Sequence, residues 1–257
     1  MLLVIDVGNT HCVLGLYNGE KLVHSFRLRT DNERTTDEWG LHLKNLFDLV
    51  GVAMADIDGV AIASVVPPAD PALRRTATQY FKTEPLVVGP GIKTGLSIRY
   101  ESPREVGADR VVNAVAAYAR VKGPCIVVDF GTATTFDCIS EKGDYLGGAI
   151  CPGIITALDA LVTRAAKLPR VEIARPRAAI GRNTVESMQS GVLFGYVALV
   201  DGLVDRLVAE MGCAAHVRVI ATGGLASTIA PESRTIEEVD PNLTLEGLRL
   251  IYLRNQQ

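Results

Sequence analysis

Three strand-like runs of aliphatic and β-branched residues open the chain without a helix between them: LLVID, HCVLGLY and KLVHSFRL. Asn18-Gly19 joins the second to the third and supplies residues that accept the left-handed backbone of a tight hairpin, so an antiparallel meander is expected. A helix follows, with Thr35 and Glu38 in capping-box register and Trp39, Leu43, Leu46, Phe47 and Val50 forming one apolar stripe at helical spacing. Trp39 belongs to the core on that pattern. The strand GVAIASVV, a helix after Pro67-Pro68 and the strand PLVVG complete a first half.

A stretch rich in Gly, Pro and charge, PGIKTGLSIRYESPREVGADR, separates the halves. Its GIKTG lacks both the Gly-Lys-[Ser/Thr] spacing of a Walker loop and a helix directly behind, which excludes that reading. The second half then rewrites the start. In PCIVVDFGTATTFDCISEKGDYLGGAI, Asp129 ends an apolar strand as Asp6 does, a glycine follows two places on, and a second strand runs to a turn glycine, Gly143 in place of Gly19. A third glycine signal stands in VRVIATGGLAS, where Val217 to Ala221 reads as a buried strand and Gly223-Gly224 open a short helix. Alternating strands and helices make the whole a mixed α/β fold.

The repeated turn suits one chemistry. Gly8 and Gly131 let the backbone approach a ligand closely, while Asn9, Thr10, Thr132, Thr134 and Thr135 offer amides and hydroxyls to phosphate oxygens. A hard cation such as Mg²⁺ keeps several waters and is usually held by one or two carboxylates plus substrate phosphates, the task open to Asp6 and Asp129. The alternative is an ordinary turn in which Asp bonds its own backbone, an alternative that the recurrence of the whole hairpin weakens.

Composition narrows the partners. A chain of 257 residues, 48% hydrophobic and 21% charged, can bury one large core or two smaller ones. A net charge of -3 and a pI near 5.9 give no basic footprint for nucleic acid, which leaves small molecules. Five dispersed cysteines, Cys12, Cys125, Cys138, Cys151 and Cys213, without a C-x-x-C pair read as buried free thiols of a reducing compartment. Met1 to Asp6 has no basic n-region and too short an apolar run for a signal sequence or membrane span, so a cytoplasmic protein without membrane partners is expected. The sequon at Asn242 to Thr244 then has no meaning.

Paired D-x-G-[NT]-x-T-like hairpins with a late Gly-Gly element resemble the actin, Hsp70 and sugar-kinase ATPase superfamily. Within it, DVGNT, GADR (Gly107 to Arg110), DFGTATT, GGAICPGI, IGRNTVESMQSGVLFGY and ATGGLA resemble type III pantothenate kinases over essentially the full length. The resemblance implies two duplicated ribonuclease-H-like lobes, residues 1–106 and 107–257, with mixed sheets and an ATP cleft between them. It implies ATP-dependent phosphorylation of pantothenate to 4'-phosphopantothenate, the first step of coenzyme A biosynthesis. Asp6, Val7, Gly8, Asn9, Thr10, His11, Cys12 and Val13 would form the first phosphate loop, with Asp6 near Mg²⁺ through water. Thr132 would also touch ATP, Gly223 and Gly224 its adenosine, and Asp129 would hold a monovalent cation, K⁺ or NH₄⁺. Tyr100, Gly107, Ala108, Asp109 and Arg110 would contact pantothenate, Asp109 accepting the proton of its primary hydroxyl, and Thr184 would reach in from the other subunit of a homodimer.

Elementary chemistry agrees with these roles without selecting them. Phosphoryl transfer asks mainly for positioning and charge neutralisation with one carboxylate near the attacking hydroxyl, and Asp109 opens the helix DRVVNAVAAYAR. Arg110 suits a substrate carboxylate, which it can hold through two hydrogen bonds. Against this, Asp in a first helical turn is favourable to the dipole alone, and Arg110 can pair on the surface. Asn183 and Glu186 stand in capping-box register beside Thr184, and the helix behind, with Val192, Phe194, Tyr196, Val200, Leu203, Val204 and Leu207, is apolar round much of its girth, for a partner or for its own chain. His11 and Cys12 sit where the family's loop varies, and Cys151 stands where a small residue is expected. Three other functions stay open: another small-molecule kinase of this fold, an ATP-driven chaperone or filament subunit, for whose extra subdomains 257 residues leave little room, and a non-catalytic ATP-binding accessory regulator.

Overall fold

A computed structural model of the chain describes residues 1–256. Its first strands are β1 (Leu2–Val7), β2 (His11–Asn18) and β3 (Lys21–Arg29), and Gly19 takes φ +60° in the predicted hairpin. In α1 (Thr36–Leu49) the capping box is formed: the Glu38 amide donates to the Thr35 hydroxyl at 3.3 Å and the Glu38 carboxylate accepts from the Thr35 amide at 2.7 Å. β4 (Gly59–Ser64) leads through a 3₁₀ turn at Pro67–Ala69 into α2 (Asp70–Tyr80), since proline fits a first helical turn where its missing N–H costs nothing. PLVVG contributes only β5 (Leu86–Val87), and the inter-half stretch only β6 (Ser97–Ile98).

After α3 (Ala108–Val121) come β7 (Cys125–Phe130), β8 (Ala133–Ile139) and β9 (Asp144–Pro152). The helices α4 (Ile154–Arg164) and α5 (Thr184–Met211) follow, then β10 (Arg218–Gly223), α6 (Ala226–Ile229), β11 (Glu238–Val239) and α7 (Leu243–Asn255). At α5 the capping box is only half made. Asn183 Oδ1 accepts from the Glu186 amide at 2.9 Å, whereas the Glu186 carboxylate accepts from the Arg182 amide at 3.1 Å.

The chain packs as two units, Met1–Gly95 with Glu101–Ala116 and the segment from Leu243, and Leu96–Tyr100 with Ala117–Asn242. This differs from a single division at 106/107, because α3 begins in the first unit and α7 returns to it. The reason is burial: α7 sinks Leu243, Leu245, Leu248 and Ile251 onto β1, β2 and β4. Gly247 permits the approach to α3, where a Cβ would stand 2.1 Å from the Val112 carbonyl oxygen.

In the first unit the sheet order is β3-β2-β1-β4-β5, with β1 antiparallel to β2 and parallel to β4. Trp39, Leu43 and Phe47 of α1 and Leu73 of α2 bury against Leu3, Ile5, Val7 and Leu14, so three of the five predicted stripe residues are core, with Trp39 fully buried and Leu46 and Val50 only partly so. In the second unit the order is β11-β10-β7-β8-β9-β6. Without β6, which runs parallel to β9 at the edge, β9-β8-β7-β10-β11 matches the first sheet strand for strand, in direction as well as order. Leu193, Val200 and Val204 of α5 cover Ile126, Val128, Phe136 and Val219 there. All five cysteines are free thiols, and among the described residues no helix is long and apolar enough to cross a membrane.

Asp201 of α5 clamps the segment leading to β11. Its carboxylate accepts from the Ser233 hydroxyl at 2.6 Å, the Thr235 hydroxyl at 2.7 Å and the amides of Arg234 and Thr235 at 3.2 and 3.3 Å. Burial would raise its pKa, yet the Ser233 and Thr235 bonds and these amides favour the charged form and hold it below the ordinary 3.8. A depressed folded pKa confers stability that is present above the unfolded value and lost as pH falls through the folded one. Asp201→Asn is therefore expected to cost about 1–2 kcal/mol at pH 7, with the gap from wild type narrowing as pH falls toward 3. Chemical denaturation across that range measures it, and a gap independent of pH contradicts the clamp.

Candidate active site

The first turn closes β1. Asp6 pairs with Val13 across β2 and lies beside Ala63 of β4, partly exposed at the end of an otherwise buried strand. Gly8 to His11 form the turn, with the Gly8 amide donating to the His11 carbonyl at 3.0 Å. Asn9, Thr10 and His11 are exposed, and a Cβ on Gly8 would press to 3.1 Å from the His11 oxygen. Val7 and Cys12 have fully buried side chains in the first core, so only their backbone faces a ligand. Burial pushes the Cys12 thiol up, while its hydrogen bond with Thr30 pulls it down.

The second turn is one residue tighter. Phe130 pairs with Thr134, where the first turn pairs Val7 with Cys12. Thr132 is exposed, and its carbonyl is anchored by the Gly153 amide at 3.1 Å and the Thr156 hydroxyl at 2.8 Å, which fixes the turn against the start of α4. Thr134 corrects an expectation: strand alternation turns it into the sheet's packed interior, fully buried, and its hydroxyl oxygen finds no partner there. Thr135 faces the other way and reaches Asp137 at 3.4 Å.

Asp129 has Thr135 opposite it on β8 and Thr222 beside it on β10. Gly223 adopts φ +91°, and a Cβ there would lie 2.5 Å from Asp129 Oδ1, so this glycine lets the carboxylate pack directly against the backbone. Sequence reasoning had given Gly223 only to adenosine. Gly224 is exposed, and the helix after it, α6, has only four residues.

Asp109 stands in the first turn of α3 with Gly107 and Ala108, all partly exposed. Its Oδ1 accepts from the Arg110 amide at 2.8 Å, and a Cβ on Gly107 would crowd that oxygen at 2.5 Å. Burial raises the Asp109 pKa, while the Arg110 amide and charge pull the other way. A carboxylate of raised pKa is a better proton acceptor at neutral pH. Arg110 is 8% exposed, which removes the surface-pair alternative.

Tyr100 follows β6 in the second unit. Its ring lies 6.5 Å from that of Tyr145 and packs on Gly147, where a Cβ would be 3.3 Å away. Tyr145, fully buried, donates its hydroxyl to the fully buried Asp137 at 2.7 Å. Neither residue was singled out from the sequence; the signal available was an acidic residue inside the apolar strand FDCI. Thr184, exposed at the start of α5, lines a groove of about 710 Å³ with Leu158, Leu161, Leu168, Met188, Val192 and Tyr196.

One strand order written twice, each copy with a carboxylate at its central strand's end, defines an α/β protein of the actin-like ATPase and sugar-kinase fold. Solved structures agree on the fold: MreB 5 of Spiroplasma citri bound to AMPPNP has a TM-score of 0.54 at 11% identity, covering 99% of this chain and 96% of that one. A Campylobacter jejuni protein assigned to the Baf family of transcriptional activators gives 0.62 at 18%, covering 99% and 98%. The family model for type III pantothenate kinase matches residues 2–206. Proteins of that name from Geobacter sulfurreducens and Exiguobacterium are 59% and 56% identical over 257 residues, 100% of both chains in each pair. The chain belongs to the type III pantothenate kinase family.

Gly107 is then a spacer for Asp109. Gly107→Ala is expected to lower kcat roughly 10- to 100-fold through displacement of the carboxylate, with the melting temperature little changed. Steady-state kinetics beside a thermal melt checks it, and unchanged kcat refutes the spacer role.

Proposed function

We propose that this protein transfers the γ-phosphoryl group of ATP to the primary hydroxyl of pantothenate, giving 4'-phosphopantothenate and ADP, the first step of coenzyme A biosynthesis. The carrying observation is full-length identity to type III pantothenate kinases in a chain whose two sheets each end a buried central strand in a carboxylate turn. The hydroxyl oxygen attacks phosphorus, its proton passes to Asp109, and the bond to the ADP oxygen breaks. Burial of Asp109 supports its role as acceptor. Arg110 and Tyr100 hold pantothenate, with Gly107 and Ala108 lending backbone.

Asp6 to Val13, Thr132 and Gly223-Gly224 bind ATP. Among the described residues no three His, Cys, Asp or Glu side chains gather as a metal cage. Mg²⁺ would be held near Asp6 through water and phosphate oxygens, where it would neutralise charge on the transferring group. We assign K⁺ or NH₄⁺ to Asp129, whose carboxylate is the partly exposed side chain at the end of β7. In the homodimer we assign, Thr184 serves the partner's substrate; support comes from exposed Ile155, Ile180 and Val185 in α4 and around the start of α5. The setting is the cytoplasm.

Purified protein is expected to phosphorylate pantothenate in preference to sugars, and to lose turnover when Na⁺ replaces K⁺ or NH₄⁺. Asp109→Asn should lower kcat roughly 10²- to 10⁴-fold. Its raised folded pKa means that stability present below the unfolded value is lost as pH rises through the folded one. At neutral pH the variant should therefore melt no lower than wild type. Wild type without ATP-dependent pantothenate phosphorylation refutes the proposal.

A further inference from the structure

The first aspartate turn is gripped from behind by a residue outside its motif. Thr30, just past β3, donates its hydroxyl to the Gly8 carbonyl at 2.6 Å, and its amide donates to the Thr10 carbonyl at 3.0 Å. Cys12 Sγ lies 3.4 Å from the same hydroxyl oxygen. With the hydroxyl proton committed to Gly8, the thiol is the donor in that contact, and burial keeps it protonated to do so.

All peptide bonds described are trans, so the C=O of one residue and the N–H of the next point in opposite directions. Anchoring the Gly8 carbonyl on Thr30 turns the Asn9 amide away from Thr30. Anchoring the Thr10 carbonyl does the same for the His11 amide. Both amides belong to the exposed part of the turn. Without the hydroxyl, the Gly8–Asn9 peptide plane is free to rotate and must be ordered when an anion binds.

We propose that Thr30 is a positioning residue for the nucleotide: its two hydrogen bonds fix two peptide planes so that the Asn9 and His11 amides form a phosphate-binding nest at the first turn. The inference rests on the kinase reading above and adds to it a residue that touches no substrate.

Thr30→Val keeps the branched shape and the backbone bond to Thr10 but deletes the hydroxyl; Thr30→Ser keeps the hydroxyl. Loss of one net hydrogen bond should raise the KM for ATP roughly three- to tenfold in the valine variant, leave the KM for pantothenate and the melting temperature near wild type, and leave the serine variant within about twofold of wild type. An unchanged ATP KM in Thr30→Val, or equal impairment of both variants, overturns the inference. Titration of Mg·ADP by ligand-observed NMR runs beside the kinetics. Wild type that binds ADP yet phosphorylates no pantothenate refutes the kinase reading, and the Val-to-wild-type affinity ratio still decides the role of Thr30. Wild type that binds no ADP refutes both.

Discussion

A carboxylate at the end of a buried strand is costly unless the strand ends where something else can meet the charge. β1 and β7 are each closed to solvent at five of six positions, and in each the one partly open residue is the aspartate, Asp6 or Asp129. Apolar packing would favour any aliphatic residue there. What makes the position tolerable is the shape of the sheet: an antiparallel neighbour turns back at that level while a parallel neighbour stops beside it, so the strand end opens onto a turn of amides. In the kinase reading proposed above, both copies of that opening meet the nucleotide.

The turns themselves are kept in shape by contacts with no chemistry of their own. Thr132 hangs on Gly153 and Thr156, Gly8 on Thr30, and the Asp129 carboxylate keeps its space because Gly223 carries no side chain. Asp109 follows the same logic with Gly107 beside it. Its partial burial makes the carboxylate a stronger base and at the same time disfavours its charge, so the group suited to proton transfer is maintained against stability rather than for it.

Much of this was legible in the chain. The hairpin at Asn18-Gly19, the capping box of Thr35 and Glu38, the Trp39 stripe and the repeated aspartate turn are local patterns, decided by backbone sterics and periodicity within a few residues, and they stand in the fold as read. Other features were not legible because their partners are far off in sequence. α7 returns to the first sheet, which one boundary at 106/107 misses. Tyr145 meets Asp137 inside the second sheet, and Thr134 points inward because the pleat, not the motif, assigns its face.

Sequence alone determined the duplication and the chemical type of its turns, since a glycine, a carboxylate and small polar side chains behind an apolar run constrain backbone and charge wherever they occur. It also placed Asp109 at the head of a helix. Tertiary structure decided which of those polar groups face outward, which glycines serve as spacers, and that Thr30, some twenty residues past Gly8 in the chain, orients the first turn. The physical reason is that such contacts depend on distance in space, and strand pairing is what brings Thr30 to Gly8 and Gly223 to Asp129.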